Sequence, residues 1–292
     1  MDNYIKSFRE MISLRGLTDH TLKSYTTYIK IYLNYVQQIL RKDPSDVTWQ
    51  EIRDFIFWVQ SQKGLSDRTI NHVISQIRFF TIYVLHKEWD KYQVTYRKFD
   101  TKLPFVPTRK EMNQFFHAIP DLKYRAFFAL LYSSGLRVRE ACSLRCSDIQ
   151  MSKNRIRIAV SKSRSEQFAP LNAHALRLLI AYWRSLSPEK RPYGDQWLFP
   201  CSRKTEKPMS PAYAERMILK TEESLGWTHR FTCHTFRHAY ATFLYEDGVD
   251  LLQIQKLLRH KSLNSTMIYV NLAAVDPSSF HSPFDEIGGT LS

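Results

Sequence analysis

Long apolar runs are missing from this chain. No stretch of its 292 residues is both long enough and free enough of charge to cross a bilayer. The N-terminal MDNYIKSFREM is charged, where a signal peptide would need an apolar core. A membrane protein and a secreted protein are both excluded as expectations, and a cytoplasmic one is expected. Cysteine is scarce: four residues, Cys142, Cys146, Cys201 and Cys233, with no Cys-x-x-Cys pair and no metal-ligand spacing. That excludes a disulfide framework, and reduced thiols are the default in such a compartment. Cys142 and Cys146, four apart, read as core. No Gly-x-x-x-x-Gly-Lys loop occurs, so no ATP site is expected. No carboxylate cluster suited to Mg²⁺ stands out either. No metal and no cofactor is expected.

Positive charge is abundant. The net charge is +14, divided as +4 over residues 1–100 and +10 over the remainder. The isoelectric point is about 9.6. Basic residues spread along a chain point to a polyanion partner, with a merely soluble basic protein as the competing reading. A hydrophobic content of 43% is ordinary for globular protein, and the length suits two domains.

The first hundred residues carry helical periodicity. Leu22, Tyr25, Tyr28, Ile29, Tyr32, Leu33 and Val36 fall at three-four spacing, as do Ile70, Val73, Ile74, Ile77, Phe80 and Val84. Thr18 or Asp19, and Ser66 or Asp67, are the candidate N-caps. DPSDVTWQEIRDFIFWVQSQ supplies another helix, so residues 1–97 read as a small domain of four or five helices. KFDTKLPFVP, with two prolines and no period, reads as a linker over 98–107. Thr108 and Glu111 then have capping-box spacing. In the second domain, 108–272, RIRIAV alternates strictly, with Ile156, Ile158 and Val160 on one face. QFAPL follows after SKSRSE, which predicts a β-hairpin. Helices dominate from 172 to 270, with Ser210-Pro211 as a start signal. The fold class expected is mainly α with a small β-hairpin or sheet (α+β).

The stretch CHTFRHAYATF, 233–243, places His234, Arg237 and His238 on one helical edge and Phe236, Tyr240 and Phe243 on another. The apolar edge reads as core. The polar edge suits an anion. One His-x-x-Arg match among ten histidines carries little weight alone. Four further pieces stand beside it. SSGLRVRE holds Arg137 and Glu140 just after a glycine. SKSRSE holds Lys162 at the tip of the expected hairpin. LLRHKSLNSTMIY holds His260 nine residues before Tyr269.

In this order and spacing the pieces resemble the tyrosine recombinase (phage integrase) family over nearly the whole chain. YSSGLRVREACSLRCSDI resembles its first arginine box, VSKSRSEQFAPL its lysine hairpin, and CHTFRHAYATFLYEDGVDLLQIQKLLRHKSLNSTMIY its second box. The resemblance implies a SAM-like helical core-binding domain followed by a mixed catalytic domain. It implies catalytic roles for Arg137, Lys162, His234, Arg237, His260 and the nucleophile Tyr269, with Glu140 in support. His238 is expected to support the site without touching phosphate. Two departures appear. Arg259 stands where the family usually has glycine, and there either shifts the backbone or adds a phosphate contact. Ser265-Thr266 stands where Thr-Thr is frequent.

The chemistry fits the resemblance. A tyrosine hydroxyl is a poor nucleophile until its proton is drawn off. Two permanently charged, fork-shaped guanidiniums match the charge that grows on non-bridging phosphate oxygens. Each such clamp is worth roughly 3–4 kcal/mol of barrier. Lys162 would protonate the departing 5′-oxygen. The expected activity is site-specific cleavage and rejoining of double-stranded DNA through a 3′-phosphotyrosine. A homo-tetramer would act on paired sites in the nucleoid. A type IB topoisomerase-like enzyme and a catalytically dead DNA-binding protein are the alternatives. The N-terminus begins almost at once with helices, leaving no evident room for the arm-binding domain of larger phage integrases. The tail from 273 holds Phe280, Phe284 and Ile287 at helical spacing, interrupted by Pro283, and is expected to dock on a neighbouring subunit.

Overall fold

Capping chemistry sets most helix starts. Thr48 accepts the Glu51 amide while the Glu51 carboxylate accepts the Thr48 N–H, opening α3 (Trp49–Lys63). Ser66 caps α4 (Asp67–Tyr83) through the Thr69 amide. With α1 (Asp2–Leu14) and α2 (Asp19–Tyr35) these helices make up the N-terminal unit of a computed structural model. The structure describes residues 2–16, 19–100, 102–158, 166–202, 204–228 and 231–273. Among them, no helix is long and apolar enough to cross a membrane.

The chain divides into two compact units, Met1–Thr101 and Lys102–Ser292. In the first, the three-four rows of each helix meet in one core. Phe8 and Ile12, Ile29, Tyr32 and Leu33, Phe55 and Val59, and Ile70, Ile77 and Phe80 are all buried. Tyr32 meets Phe55 edge to face with centroids 5.1 Å apart. Leu22, Tyr25 and Tyr28 pack around this core but are only half-buried. Thr18 lies outside the described residues.

The second unit begins with α5 (Arg109–Ala118), opened by the Thr108–Glu111 capping box. α6 (Leu122–Ser134) follows and is buried from Ala126 through Leu131. α7 (Val138–Cys142) leads into a three-stranded antiparallel sheet: β1 (Ile149–Gln150), β2 (Arg155–Ile158) and β3 (Gln167–Pro170). Ile156 pairs with Ala169 and Arg157 with Phe168. Alternation does what the sequence pattern predicts: Ile156 and Ile158 go inward, while Arg157 reaches out to Asp148 at 2.9 Å. Val160 lies outside the described residues. β1 was not foreseen, because two residues are too short to show a period.

α8 (Ala173–Ser185) packs on α6. α9 (Pro211–Leu225) starts at Ser210-Pro211 as expected. α10 (Cys233–Glu246), α11 (Leu251–Leu258) and α12 (Asn264–Leu272) complete the unit. An aromatic centre joins α5, α6 and α10: Phe128 stacks on Phe236 at 5.0 Å, and Phe115 on Phe231 at 5.0 Å. The architecture is mainly α with one small sheet. The tail positions Phe280, Phe284 and Ile287 lie outside the described residues.

Candidate active site

The end of α6 builds the first part of the site. Gly135 adopts φ +57°, a left-handed turn that glycine takes without steric cost. A Cβ there would come within 2.7–2.8 Å of Tyr240 and Leu258 side-chain atoms. The turn therefore lets the backbone close onto α10 and α11, and it presents the Gly135 carbonyl to Arg237. Arg137 follows as N-cap of α7. Its N–H donates to Glu140 Oε2 at 2.9 Å and its Nη1 to Glu140 Oε1 at 2.8 Å.

α10 carries the second part. Arg237 is 3% exposed, and its guanidinium donates to the carbonyls of Gly135 and Leu258. A polar edge was expected to stand open towards phosphate. His234 is exposed in keeping with that, His238 is half-buried, and Arg237 lies within the fold. The reason is that Gly135 and the end of α11 close over the edge and supply carbonyls to the guanidinium. Burial and the neighbouring Arg137 charge bring the Arg237 pKa down to about 10, so it stays cationic at neutral pH. Phe236 and Phe243 are buried as expected, whereas Tyr240 is half-buried.

α11 ends in a Schellman motif. The His260 N–H bonds the Gln255 carbonyl at 3.1 Å and the Arg259 N–H bonds that of Lys256 at 3.0 Å. The motif needs a left-handed residue, and Arg259 supplies it at φ +55°. That explains why glycine suits the position and why a side-chain residue there costs roughly 1–2 kcal/mol. The Arg259 side chain is 5% exposed and its Nη2 meets Glu140 Oε2 at 2.9 Å. Burial pushes Glu140 up, but Arg259 and then Arg137 outweigh it, and the net shift is below the ordinary carboxylate range.

His260 and Tyr269 lie face to face, with ring centroids 6.3 Å apart and planes 10° from parallel. His260 Nδ1 is 2.8 Å from the hydroxyl of Thr266, itself fully buried. His238 also flanks Tyr269 at 5.8 Å and stands 6.1 Å from His234. Tyr269 is 2% exposed. Burial pushes its phenol up, against the pull of Arg237's charge and hydrogen bond and of Arg137. Burial, then the charges of Arg237, Arg137 and Arg259, hold His260 at about 4. His238 also sits at about 4, by burial and then His234 and Arg237. The His234 ring is partly withdrawn from water although the residue keeps an exposed face, and that desolvation, then the two arginines, lower it, with Glu215 opposing. The site thus combines fixed cations, neutral imidazoles and one phenol, a set suited to an anionic substrate.

Arg137, Glu140, His234, Arg237, His260 and Tyr269 are therefore brought together in one place. Lys162 lies outside the described residues. Residues 106–275 match the model of the Phage integrase family, and residues 4–91 match that of the Phage integrase N-terminal SAM-like domain. The chain belongs to the phage integrase family. It is a tyrosine recombinase, a class of enzyme that cleaves and rejoins DNA.

Among this recombinase's relatives is a putative integrase/recombinase of Sinorhizobium fredii. It is 28% identical, covering 94% of this chain and 86% of the relative. Tyrosine recombinase XerA of Thermococcus kodakarensis is 27% identical, covering 92% and 90%. The fold is that of the Tn1549 transposon integrase in complex with circular intermediate DNA, at TM-score 0.71, 18% identity and 99% coverage of both chains. A lambda integrase dimer bound to a core site aligns at TM-score 0.71, 20% identity and coverage of 97% and 98%.

Three participants had no role assigned from the sequence: Gly135, the Leu258 carbonyl and Thr266. The glycine was visible in SSGLRVRE as a turn residue. The carbonyl carries no sequence signal at all. Of the two outcomes expected for Arg259, the backbone one is visible as its left-handed φ of +55°. Its side chain turns inward onto Glu140.

Proposed function

We propose that Tyr269 is the nucleophile of strand cleavage and that Arg137 and Arg237 clamp the scissile phosphate. The phenol gives its proton to a neutral imidazole of the site as its oxygen attacks phosphorus, a 3′-phosphotyrosine bond forms, and the bond to the 5′-oxygen breaks. Lys162 gives that oxygen its proton. His234 and His260 hydrogen-bond the phosphoryl oxygens and position the phenol. Rejoining is the reverse, with a 5′-hydroxyl attacking the phosphotyrosine, so the phosphodiester energy is conserved. The observation that carries this reading is the face-to-face packing of Tyr269 on His260 beside the buried Arg237.

Residues 1–97 act as the core-binding domain and 108–272 as the catalytic domain. Both meet DNA phosphates, in keeping with the +14 charge. The working assembly is a homo-tetramer on paired duplex sites in the nucleoid.

The test uses a pool of nicked duplexes randomised around the nick. Covalent protein–DNA adducts are recovered after denaturation and sequenced, which also identifies the site. Wild-type protein enriches one sequence, and Tyr269→Phe, which loses only the hydroxyl, yields no adduct. Adducts formed by Tyr269→Phe would exclude this nucleophile. Exchange of flanks between two duplexes bearing the recovered site then separates recombination from simple relaxation.

A further inference from the structure

A non-glycine residue in the left-handed region, with a charged side chain turned into the fold, is an expensive choice. At position 259 glycine would satisfy the α11 cap at no steric cost. The chain places arginine there instead, at φ +55°, and buries the side chain to 5% exposure. An outlier of this kind implies that the side chain does something the backbone motif does not need.

Its contacts show what that is. Arg259 Nη2 lies 2.9 Å from Glu140 Oε2, and Nη1 donates to the Leu257 carbonyl at 2.9 Å. The same carboxylate holds the Arg137 side chain through Oε1 at 2.8 Å and the Arg137 amide through Oε2 at 2.9 Å. Glu140 is therefore shared between two guanidiniums that stand 122 positions apart in the chain. Arg259 adjoins Leu258, whose carbonyl accepts from Arg237, and His260, which stacks on Tyr269.

We propose that Arg259 is a positioning residue for DNA cleavage, acting through Glu140 to hold Arg137 in register with Arg237 and His260. This rests on the reading of Arg137, Arg237 and Tyr269 given above. Two physical effects contribute. The bridge ties the start of α7 to the end of α11, so the two clamp arginines move as one body. Arg259 also takes up part of the single negative charge on Glu140. Arg137, whose side chain is 42% exposed, then keeps more of its own charge for phosphate. Arg259 Nη1 and Nη2 are both engaged inside the fold, and its Nε is buried without a hydrogen-bond partner.

The experiment compares Arg259→Gly, Arg259→Lys, Glu140→Gln and the double variant Glu140→Gln/Arg259→Gly. Each is measured on the nicked duplex recovered by covalent capture, by single-turnover cleavage at saturating DNA and by DNA affinity over a salt series. Glycine is the residue the backbone prefers at 259, so Arg259→Gly stays folded, and its urea midpoint verifies this.

The expected result is a cleavage rate lowered about tenfold or more, with affinity and its salt slope unchanged. Arg259→Lys, whose ammonium can still reach Glu140, recovers part of the rate. The double variant is no slower than Glu140→Gln alone, because both changes break one bridge. Three results overturn the proposal. The first is an Arg259→Gly rate within twofold of wild type. The second is a deficit that adds in full to that of Glu140→Gln. The third is a loss of affinity with a shallower salt slope, which marks a direct phosphate contact. Failure of the underlying reading looks different: wild-type protein then forms no Tyr269-dependent adduct, and the proposal falls with it.

Discussion

The hydroxyl of Thr266 lies 2.8 Å from Nδ1 of His260, six residues before it in the chain and one helix start away. Thr266 is fully buried at the beginning of α12, where its amide also bonds the Leu263 carbonyl. The contact occupies one imidazole nitrogen and leaves the other ring edge for the proposed reaction centre. Fixing one nitrogen of a histidine sets which tautomer the other presents.

Thr266→Val keeps the shape and removes the hydroxyl. The net stability loss is expected to be about 1 kcal/mol, the usual worth of one such hydrogen bond. Cleavage is expected to fall about tenfold, since His260 loses its orientation. Urea denaturation and single-turnover cleavage check the two parts. An unchanged rate in a folded Thr266→Val protein would show that His260 needs no such support.

Gly135→Ala tests the close approach of α6, α10 and α11. Alanine at φ +57° is strained, and its Cβ would press on the Tyr240 ring and Leu258. A destabilisation of about 1–3 kcal/mol is expected from strain and overpacking together. Because the Gly135 carbonyl anchors Arg237, cleavage should fall further than the lost stability accounts for at temperatures where the variant is fully folded. Denaturant midpoints and rates measured together would reveal any case in which only stability changes.

Arg237→Lys is not a conservative change here. Arg237 already spends two nitrogens on the carbonyls of Gly135 and Leu258. A lysine ammonium cannot reach both and still present a planar fork to phosphate. Cleavage is expected to drop at least about a hundredfold, in line with the loss of one transition-state clamp. Rates within tenfold of wild type would contradict the assignment.

Acid should weaken the fold before it protonates most carboxylates. His238 and His260 both sit at about 4, first through burial, against an ordinary value of 6.5. Between those values the unfolded chain binds protons that the folded chain does not. Stability is then fully present above pH 6.5 and declines as pH falls towards 4. His234 shifts in the same direction. Urea midpoints should therefore fall steadily from pH 7 to pH 5, with unfolding taking up about two protons across that window. Replacing His238 by Gln should remove roughly one of them. A midpoint that stays flat over this range would rule out depressed histidines in the folded state.

Much of this protein could be read from its sequence, and the reason is local. Helices at Asp67, Arg109 and Pro211 begin where Ser66, Thr108 and Ser210-Pro211 place their capping signals. β2 and β3 follow from a period of two. The candidate residues of the proposed site could be nominated because chemistry limits what can cleave a phosphodiester, and because arginine, histidine and tyrosine recur in a known order. Tertiary structure decided which groups those residues meet. Arg237 looked like an open polar edge, yet it is buried because two backbone carbonyls from distant segments close on it. Arg259 stood out as a departure that either shifts the backbone or meets phosphate, and only the fold pairs its charge with Glu140, 119 positions earlier. Thr266 stood out only within Ser265-Thr266, where Thr-Thr is frequent, yet its hydroxyl holds a histidine. Local propensity acts over a few residues, and each of these pairings depends on chain closure that brings remote segments together. A buried charge takes the partner that closure supplies.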